Sequence, residues 1–357
     1  MTNLFMSSQE YKKTFNEGLI TLAQEDGLGT FILAMANATF DDEIYKVTKD
    51  FLNSNFIRLK QKYVDYFTFG LKINENDEDL LVFLKMICVG FEQLQTTDLR
   101  FESGWELQFN HIRGFRPNRI SKQKIDSLLL DFSAAEFNFN KPFLAKERLW
   151  EGDFRKNQFS LYYNKYPFAN YHTLLVPERE KQLPQFLHLS HHNMMWEFLE
   201  SIGEQINEVG VGYNSRGAFS SVNHLHFQLF IREKSLPVTE SKWLHNGGNE
   251  SYPTDCHVFS NSKESGQFIE NLHKTNTAYN LLYFPGRVYC FPRQMQGRYQ
   301  HAEWTAGFSW YELAGGILTS SHDSFKALTN VDIEHEFSLL KVNRPENGNS
   351  GLAPHTL

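Results

Sequence analysis

Cysteine is scarce in this 357-residue chain: Cys88, Cys256 and Cys290 are the only three. They are odd in number, far apart and form no CxxC pair, which excludes a disulfide scaffold and a cysteine-based zinc site. No apolar run approaches membrane-spanning length, and the opening MTNLFMSSQEYKK lacks the apolar centre of a secretory signal, so a soluble, cytoplasmic protein is expected. An excess of positive charge is also missing. With 35 Lys and Arg against 42 Asp and Glu, the formal net charge of −7 argues against a general nucleic-acid binder. No short-period repeat is visible. The length suffices for two domains or one fused double domain.

Aromatic residues, at 15%, are plentiful. Amphipathic periodicity predicts a helix over 8–24, stopped by Gly27 and Gly29, and a mostly helical stretch from about 41 to 98. WELQFN at 105–110 alternates as a strand does, and RGFRPNRI after it is a basic loop broken by Pro117. Strands are expected to dominate 137–177, beginning with FNFNK and resuming after the turn at Pro167 and Asn170. Apolar positions from Met195 to Val209 recur at helical spacing, residues 241–255 form a long connector, and a helix at 263–275 precedes strands in AYNLLYFPGRVYCFPR. A further helical segment and EHEFSLLKV follow, and the tail from 343 has the composition of a disordered segment.

The chemistry concentrates in GYNSRGAFSSVNHLHFQLFI, residues 212–231. Side chains on a strand alternate between faces, so His224, His226 and Gln228 share one face while Leu225, Phe227 and Leu229 point to a core. Three polar groups in a row on a strand face need a reason beyond packing.

Taken with the strands before it, this motif resembles the histidine-triad superfamily, and His-x-His-x-Gln resembles its galactose-1-phosphate uridylyltransferase branch. Within that branch the stretch is most similar to the GDP-hexose phosphorylases, the family of plant GDP-L-galactose and animal GDP-D-glucose phosphorylases. LQFNHIRGFRPNRI, KIDSLLLDFSAAEFNFNK, HTLLVPEREKQLPQFL, NTAYNLLYFPGRVYCFPR and WYELAGGI fit the same family in the same order, so the resemblance covers roughly 105–325, with a weaker match at 15–32. Residues about 41–100 have no counterpart there and read as an inserted helical block.

The resemblance implies an α+β fold with an antiparallel sheet and helices, built from two fused histidine-triad-like halves of which the second is degenerate. The expected division is 1–104 for an N-terminal segment with the insertion, 105–240 for the catalytic half, 241–342 for the degenerate half, and 343–357 for the tail. The implied activity is phosphorolysis of a nucleoside diphosphate sugar, giving hexose 1-phosphate and a nucleoside diphosphate through a covalent nucleotidyl-histidine. A dinucleoside-polyphosphate phosphorylase, a hexose-1-phosphate nucleotidylyltransferase and a non-catalytic nucleotide sensor are the alternatives. The expected partners are the nucleotide sugar and inorganic phosphate, with room for a homodimer but no nucleic acid or membrane. Neither a cofactor nor a metal is called for.

By the resemblance His226 is the nucleophile, and histidine suits that role because a neutral imidazole is available near neutral pH. His224 would orient it. Gln228 can donate a hydrogen bond but cannot transfer a proton at neutral pH, which suits a sugar phosphate, a leaving group that needs no proton. Asn214, Ser215, Gly217, Ser220, Ser221 and Asn223 offer amides and short hydroxyls for phosphate oxygens. Asn164 and His172 match positions that bind the ribose hydroxyls and support the phosphate site, although Asn164 equally suits a cap for the NKYP turn. Arg113, Arg116, Arg119 and Lys141 supply positive charge, but the arginines fit a solvated loop better than a phosphate clamp. Phe137 and Phe139 read as core packing, Cys256 beside His257 lacks further ligands for a metal, and His191 and His192 are expected to start a helix facing water. Gly315 and Gly316 are expected to allow close packing against the first half.

Overall fold

The computed structural model describes residues 3–116 and 125–342, so Arg119 and the tail from 343 lie outside the described residues. The chain opens with four helices: α1 (Ser8–Ala23), α2 (Leu28–Ala38), α3 (Asp42–Thr68) and α4 (Asp77–Val89). Capping side chains start three of them. Ser7 accepts from the Glu10 amide, Asp41 from Glu43 and Ile44, and Asn76 from Glu78. Gly29 lies inside α2 rather than at a stop, because every α2 residue but Gly29 is buried and tertiary packing outweighs glycine's poor propensity. The rings of Phe31, Phe56 and Phe83 meet edge-on or tilted in the middle of this block. The block shares one continuous core with the sheet behind it.

Two strands, β1 (Asp98–Glu102) and β2 (Trp105–Phe109), form a hairpin that leads into the short helix α5 (His111–Phe115). Next come β3 (Arg148–Phe154), β4 (Asn157–Tyr163), β5 (Thr173–Pro177), α6 (Leu189–Gly203), β6 (Val209–Asn214) and β7 (Phe227–Ile231). FNFNK is not a strand; Asn138 instead bonds the carbonyls of Ala134 and Glu136 and closes a turn there. The remainder consists of β8 (His257–Phe259), α7 (Ser262–Lys274), β9 (Ala278–Phe284), β10 (Arg287–Arg293), α8 (Trp310–Leu313), β11 (Gly316–Leu318), α9 (His322–Ala327) and α10 (Asn330–Leu339).

Eight strands make one sheet in the order β3-β4-β5-β7-β6-β9-β10-β8, antiparallel at every pairing. The β6–β9 ladder, Val211↔Tyr283 to Asn214↔Asn280, joins the strands of the middle of the chain to those of its last third. One face of the sheet carries Phe227, Leu229 and Ile231 into the large core with the helices. The opposite face meets a second cluster in which Phe230 and Trp310 pack with Trp105, Leu107 and Phe109 of the small sheet β1-β2-β11. A third, smaller cluster of Phe139, Leu144, Tyr162 and Val176 is separate from both.

Gly315 and Gly316 behave as expected. A side chain at Gly315 would collide with Pro237 and crowd Trp105, and Gly316 pairs with Glu106 of β2. His192, by contrast, does not face water. It is fully buried, bonded to the Tyr283 hydroxyl at 2.8 Å and to Ser265 at 2.9 Å, because α6 turns that side toward β9 and α7.

The large and the small sheet are tied by a buried ion pair. Arg232, just past β7, grips both carboxylate oxygens of Glu106, which also accepts from the Tyr311 hydroxyl at 3.0 Å. Removing one partner of such a pair strands a buried charge. Glu106→Ala is therefore expected to lower unfolding stability by about 3–5 kcal/mol, read by urea denaturation; a loss under about 1 kcal/mol, the range of exposed pairs, would contradict this.

Candidate active site

Strand β7 begins at Phe227, so His224 and His226 lie just before the ladder rather than within it. The reason is a side chain that takes a strand's place. Buried Gln185 accepts the His226 N–H at 2.9 Å and donates to the His226 carbonyl at 3.1 Å and to the Asn214 carbonyl at 2.9 Å. With backbone 224–226 held extended in this way, the alternation persists: Leu225 enters the large core, while His224 and His226 turn to the other face. Within β7, Gln228 lies between Leu174 of β5 and Gly212 of β6.

His226 Nδ1 lies 2.8 Å from the carbonyl oxygen of His224. A carbonyl only accepts, so Nδ1 carries the proton and Nε2 holds the lone pair. Nε2 has no hydrogen-bond partner among the described residues, and the ring packs against Phe139 at 5.3 Å. Burial holds the His226 pKa down at about 4, partly offset by the bond to the His224 carbonyl, so the ring is neutral at pH 7. His224 thus orients His226 through its backbone. Its own ring accepts the Phe139 N–H at Nδ1, 3.1 Å away, and its pKa falls to about 4, first by burial and then by the neighbouring His226.

His172, fully buried at the start of β5, has the same character. The Phe168 N–H donates to its Nδ1 at 3.3 Å, so Nε2–H donates to Gln228 Oε1 at 3.1 Å. Burial pushes its pKa to about 3, and the nearby Arg113 charge adds to the shift. Asn164 takes the turn-capping role. Its Oδ1 accepts the Tyr166 N–H at 3.1 Å and closes the turn, while its Nδ2 stands over the His172 ring, 3.2 Å from Nε2 and 3.4 Å from Nδ1.

The structure therefore gathers His224, His226, Gln228, His172 and Asn164, but the loop before them is engaged differently. Ser215 Oγ accepts the Tyr279 N–H, Ser220 Oγ donates to the Val222 carbonyl, and Asn223 accepts from Gln185 while donating to the carbonyls of Leu130 and Asp131. Asn214 Oδ1 accepts from Asn280 and from the Trp310 N–H. Gly217 takes φ +83°, which favours glycine, and Ser221 is exposed. The backbone N–H groups of Ser220 to Asn223 make no hydrogen bond among the described residues, so the loop offers amides to an anion where its hydroxyls are occupied.

Arg113 is not part of a solvated loop. It rises from α5, stacks over Phe168 at 4.6 Å and donates to the Tyr166 carbonyl at 2.8 Å; burial and the charge of Arg116 bring its pKa down to about 10. Lys141 is bound at 2.9 Å to the Ala134 carbonyl. Among the described residues no group of three or more His, Cys, Asp or Glu could hold a metal, and no helix is long and apolar enough to cross a membrane. A cavity of about 490 Å³, lined by Phe56, Ile57, Val64 and Phe91, belongs to the helical block and does not include His226. Three residues central to this geometry, Gln185, Phe139 and Trp310, carry no periodic signal marking them as such; the alternating glycines of VGVGYN were the one local hint of a close approach.

Fold and site together define the class: an antiparallel α+β protein with a neutral, tautomer-fixed histidine beside a glutamine on a sheet face. Residues 90–230 match the family model described as GDPGP1-like, N-terminal domain. The chain is 36% identical over 152 residues to GDP-D-glucose phosphorylase 1 of Danio rerio, covering 42% of this chain and 43% of that protein. It is 32% identical over 167 residues to the Homo sapiens protein of the same name (44% and 42%), and 25% identical over 244 residues to GDP-L-galactose phosphorylase 2 of Arabidopsis thaliana (57% and 55%). Residues 90–230 thus resemble the GDP-hexose phosphorylases, and the matches span about half the length of those relatives. A crystal structure of yeast Ap4A phosphorylase Apa2 with Ap4A aligns with a TM-score of 0.47 at 14% identity, over 76% of this chain and 100% of that one.

The histidine shifts have a direct consequence for pH. Unfolded, His172, His192, His224 and His226 titrate near 6.5; folded, they titrate at about 3 to 4. Between those values the unfolded chain binds more protons, so the stability they contribute is complete above about pH 6.5 and is lost as pH falls toward 4. An NMR titration of the imidazoles should place the His226 midpoint near 4, with Tm declining from pH 6.5 to 4.5. A midpoint near 6.5 would refute the buried, neutral ring.

Proposed function

We propose that this protein cleaves a nucleoside diphosphate hexose, a GDP-hexose by its relatives, with inorganic phosphate as acceptor. The observation that carries the reading is the state of His226: Nδ1–H held by the His224 carbonyl, Nε2 left with a lone pair and no partner among the described residues. Nε2 attacks the α-phosphorus, the bond from that phosphorus to the oxygen bridging the β-phosphate breaks, and hexose 1-phosphate leaves. As the ring gains positive charge, the His224 carbonyl dipole opposes it in place. Phosphate oxygen then attacks the nucleotidyl-histidine, the P–N bond breaks, and the electron pair returns to Nε2. Kinetics of the ping-pong type follow.

The amides of Ser220 to Asn223 are suited to hold phosphate oxygens, and Gln228 to donate a hydrogen bond without passing on a proton. Asn164 and His172 border the ribose side. In this reading residues 105–240 form the catalytic half and 241–342 the second half that closes over it, with 1–104 as the helical N-terminal segment.

The test is a panel of nucleoside diphosphate sugars with inorganic phosphate, chromatographed for released diphosphate. GDP-hexoses should be consumed. His226→Ala and His226→Asn should each lose at least about a thousandfold in kcat, with unchanged circular dichroism and no acid-labile nucleotide adduct. Substantial phosphorolysis by His226→Ala would end the proposal, and turnover of dinucleoside polyphosphates in preference to GDP-hexoses would redirect it to another member of the branch.

A further inference from the structure

Gln228 does not set its own orientation. Its Oε1 lies 3.0 Å from the indole Nε1 of Trp310 and 3.1 Å from His172 Nε2. An indole N–H can only donate, so the atom facing it is the oxygen, and the two contacts use both of that oxygen's lone pairs. The amide nitrogen is thereby turned away from both, and it has no hydrogen-bond partner among the described residues. One of the two donors, His172, comes from the strand beside Gln228. The other comes from α8, about eighty residues further along the chain and on the far side of the β6–β9 seam.

Trp310 reaches Gln228 because β6 makes room for it. A side chain added at Gly212, the residue paired with Gln228, would stand 2.3 Å from the indole; one at Gly210 would stand 2.3 Å from Phe230. In the slot left by these glycines the Phe230 and Trp310 rings stack at 5.0 Å with an 11° tilt. The Trp310 backbone is pinned as well, its N–H donating to Asn214 Oδ1 at 3.0 Å, and Ser309 and Glu312 cap the turn that presents it. An indole buried only for packing needs any acceptor. Here a strand gives up its side chains so that the indole can meet one particular amide.

We infer that Trp310 is a positioning residue for Gln228: it locks the glutamine carbonyl so that the amide N–H groups face the substrate phosphates at His226, and the second half of the chain thereby completes the site of the first. The inference rests on the function proposed above. Without the indole, only the His172 donor holds the glutamine oxygen, and the amide can more readily turn that oxygen toward an anionic phosphate.

Trp310→Phe keeps the stack on Phe230 and removes the donor. It should lower kcat about 10- to 100-fold, with KM for the nucleotide sugar changed less than about threefold, and this loss should vanish in a Gln228→Leu background. Equal losses in both backgrounds, or no loss in the wild-type background, would overturn the inference. A second measurement needs neither substrate nor a folded Trp310 variant. The Trp310 indole N–H should exchange slowly with deuterium in the wild-type protein and at least about tenfold faster in Gln228→Leu; unchanged exchange would also overturn it. If the wild-type protein consumes no nucleotide sugar while this exchange difference holds, the proposed reaction fails and the positioning contact stands.

Discussion

The bond from His226 Nδ1–H to the carbonyl two residues earlier decides most of what this site can do. It fixes the tautomer, which determines where the lone pair is, and it places the negative end of a permanent dipole against Nδ1–H, where it would stabilise positive charge on the ring in the proposed reaction. The bond exists only while residues 224–226 stay extended. No neighbouring strand enforces this, since the ladder starts at Phe227; the Gln185 amide does, bonding the N–H and carbonyl of His226, together with the Leu183 carbonyl, which accepts the Leu225 N–H at 2.8 Å. Burial then keeps the ring unprotonated through the neutral range. Backbone conformation, tautomer and charge state are one linked arrangement, and a fault in any of them removes the free lone pair at Nε2.

Position 228 follows the same logic with the opposite aim. His226 must keep a nitrogen free, whereas Gln228 must have its oxygen occupied so that only donors remain available. Two donor-only contacts achieve this, one from each side. A histidine at 228 could carry a proton to a leaving group; a glutamine pinned by its oxygen can only stabilise negative charge. That is the difference between helping a poor leaving group depart and favouring exchange between phosphates, which are good ones.

Much of the fold was legible in the sequence. Helical periodicity marked α1, α3, α4, α6 and α7, and alternation marked β2, β4, β5 and the β9–β10 hairpin, because each of these elements buries one regular face. Helix α2 was not legible, since nearly all of its residues are buried and it has no polar face to create a period. Of the site, His224, His226, Gln228, His172 and Asn164 stand where strand alternation and family spacing put them together. Gln185 and Trp310 were not legible for a different reason. Their roles depend on contacts across 41 and 82 positions of chain, which no local pattern records. The loop hydroxyls of Ser215 and Ser220 show the converse: residue type suggested phosphate ligands, whereas backbone carbonyls and amides next to them took their hydrogen-bonding capacity.

The distribution of charge completes the argument. On the sheet face itself, His172, His224 and His226 are neutral and Gln228 carries no charge, so the floor of the site attracts anions only through N–H dipoles. Full cations stand at its margins. Arg113 is stacked on the Phe168 ring that also meets His172, and Arg293 is buried beside the loop, over Phe219 and bonded to the carbonyl of Phe308, to Asn280 and to the Tyr299 hydroxyl. Of the buried carboxylates, Glu106 is held by Arg232 and Tyr311, and Glu312 accepts from the N–H and the hydroxyl of Ser309. A cation on His226 itself would attract a phosphate strongly but would have no lone pair with which to attack it. Keeping the imidazoles neutral by burial and placing the guanidinium groups one aromatic ring away separates attraction from nucleophilicity, and both are available at the same pH.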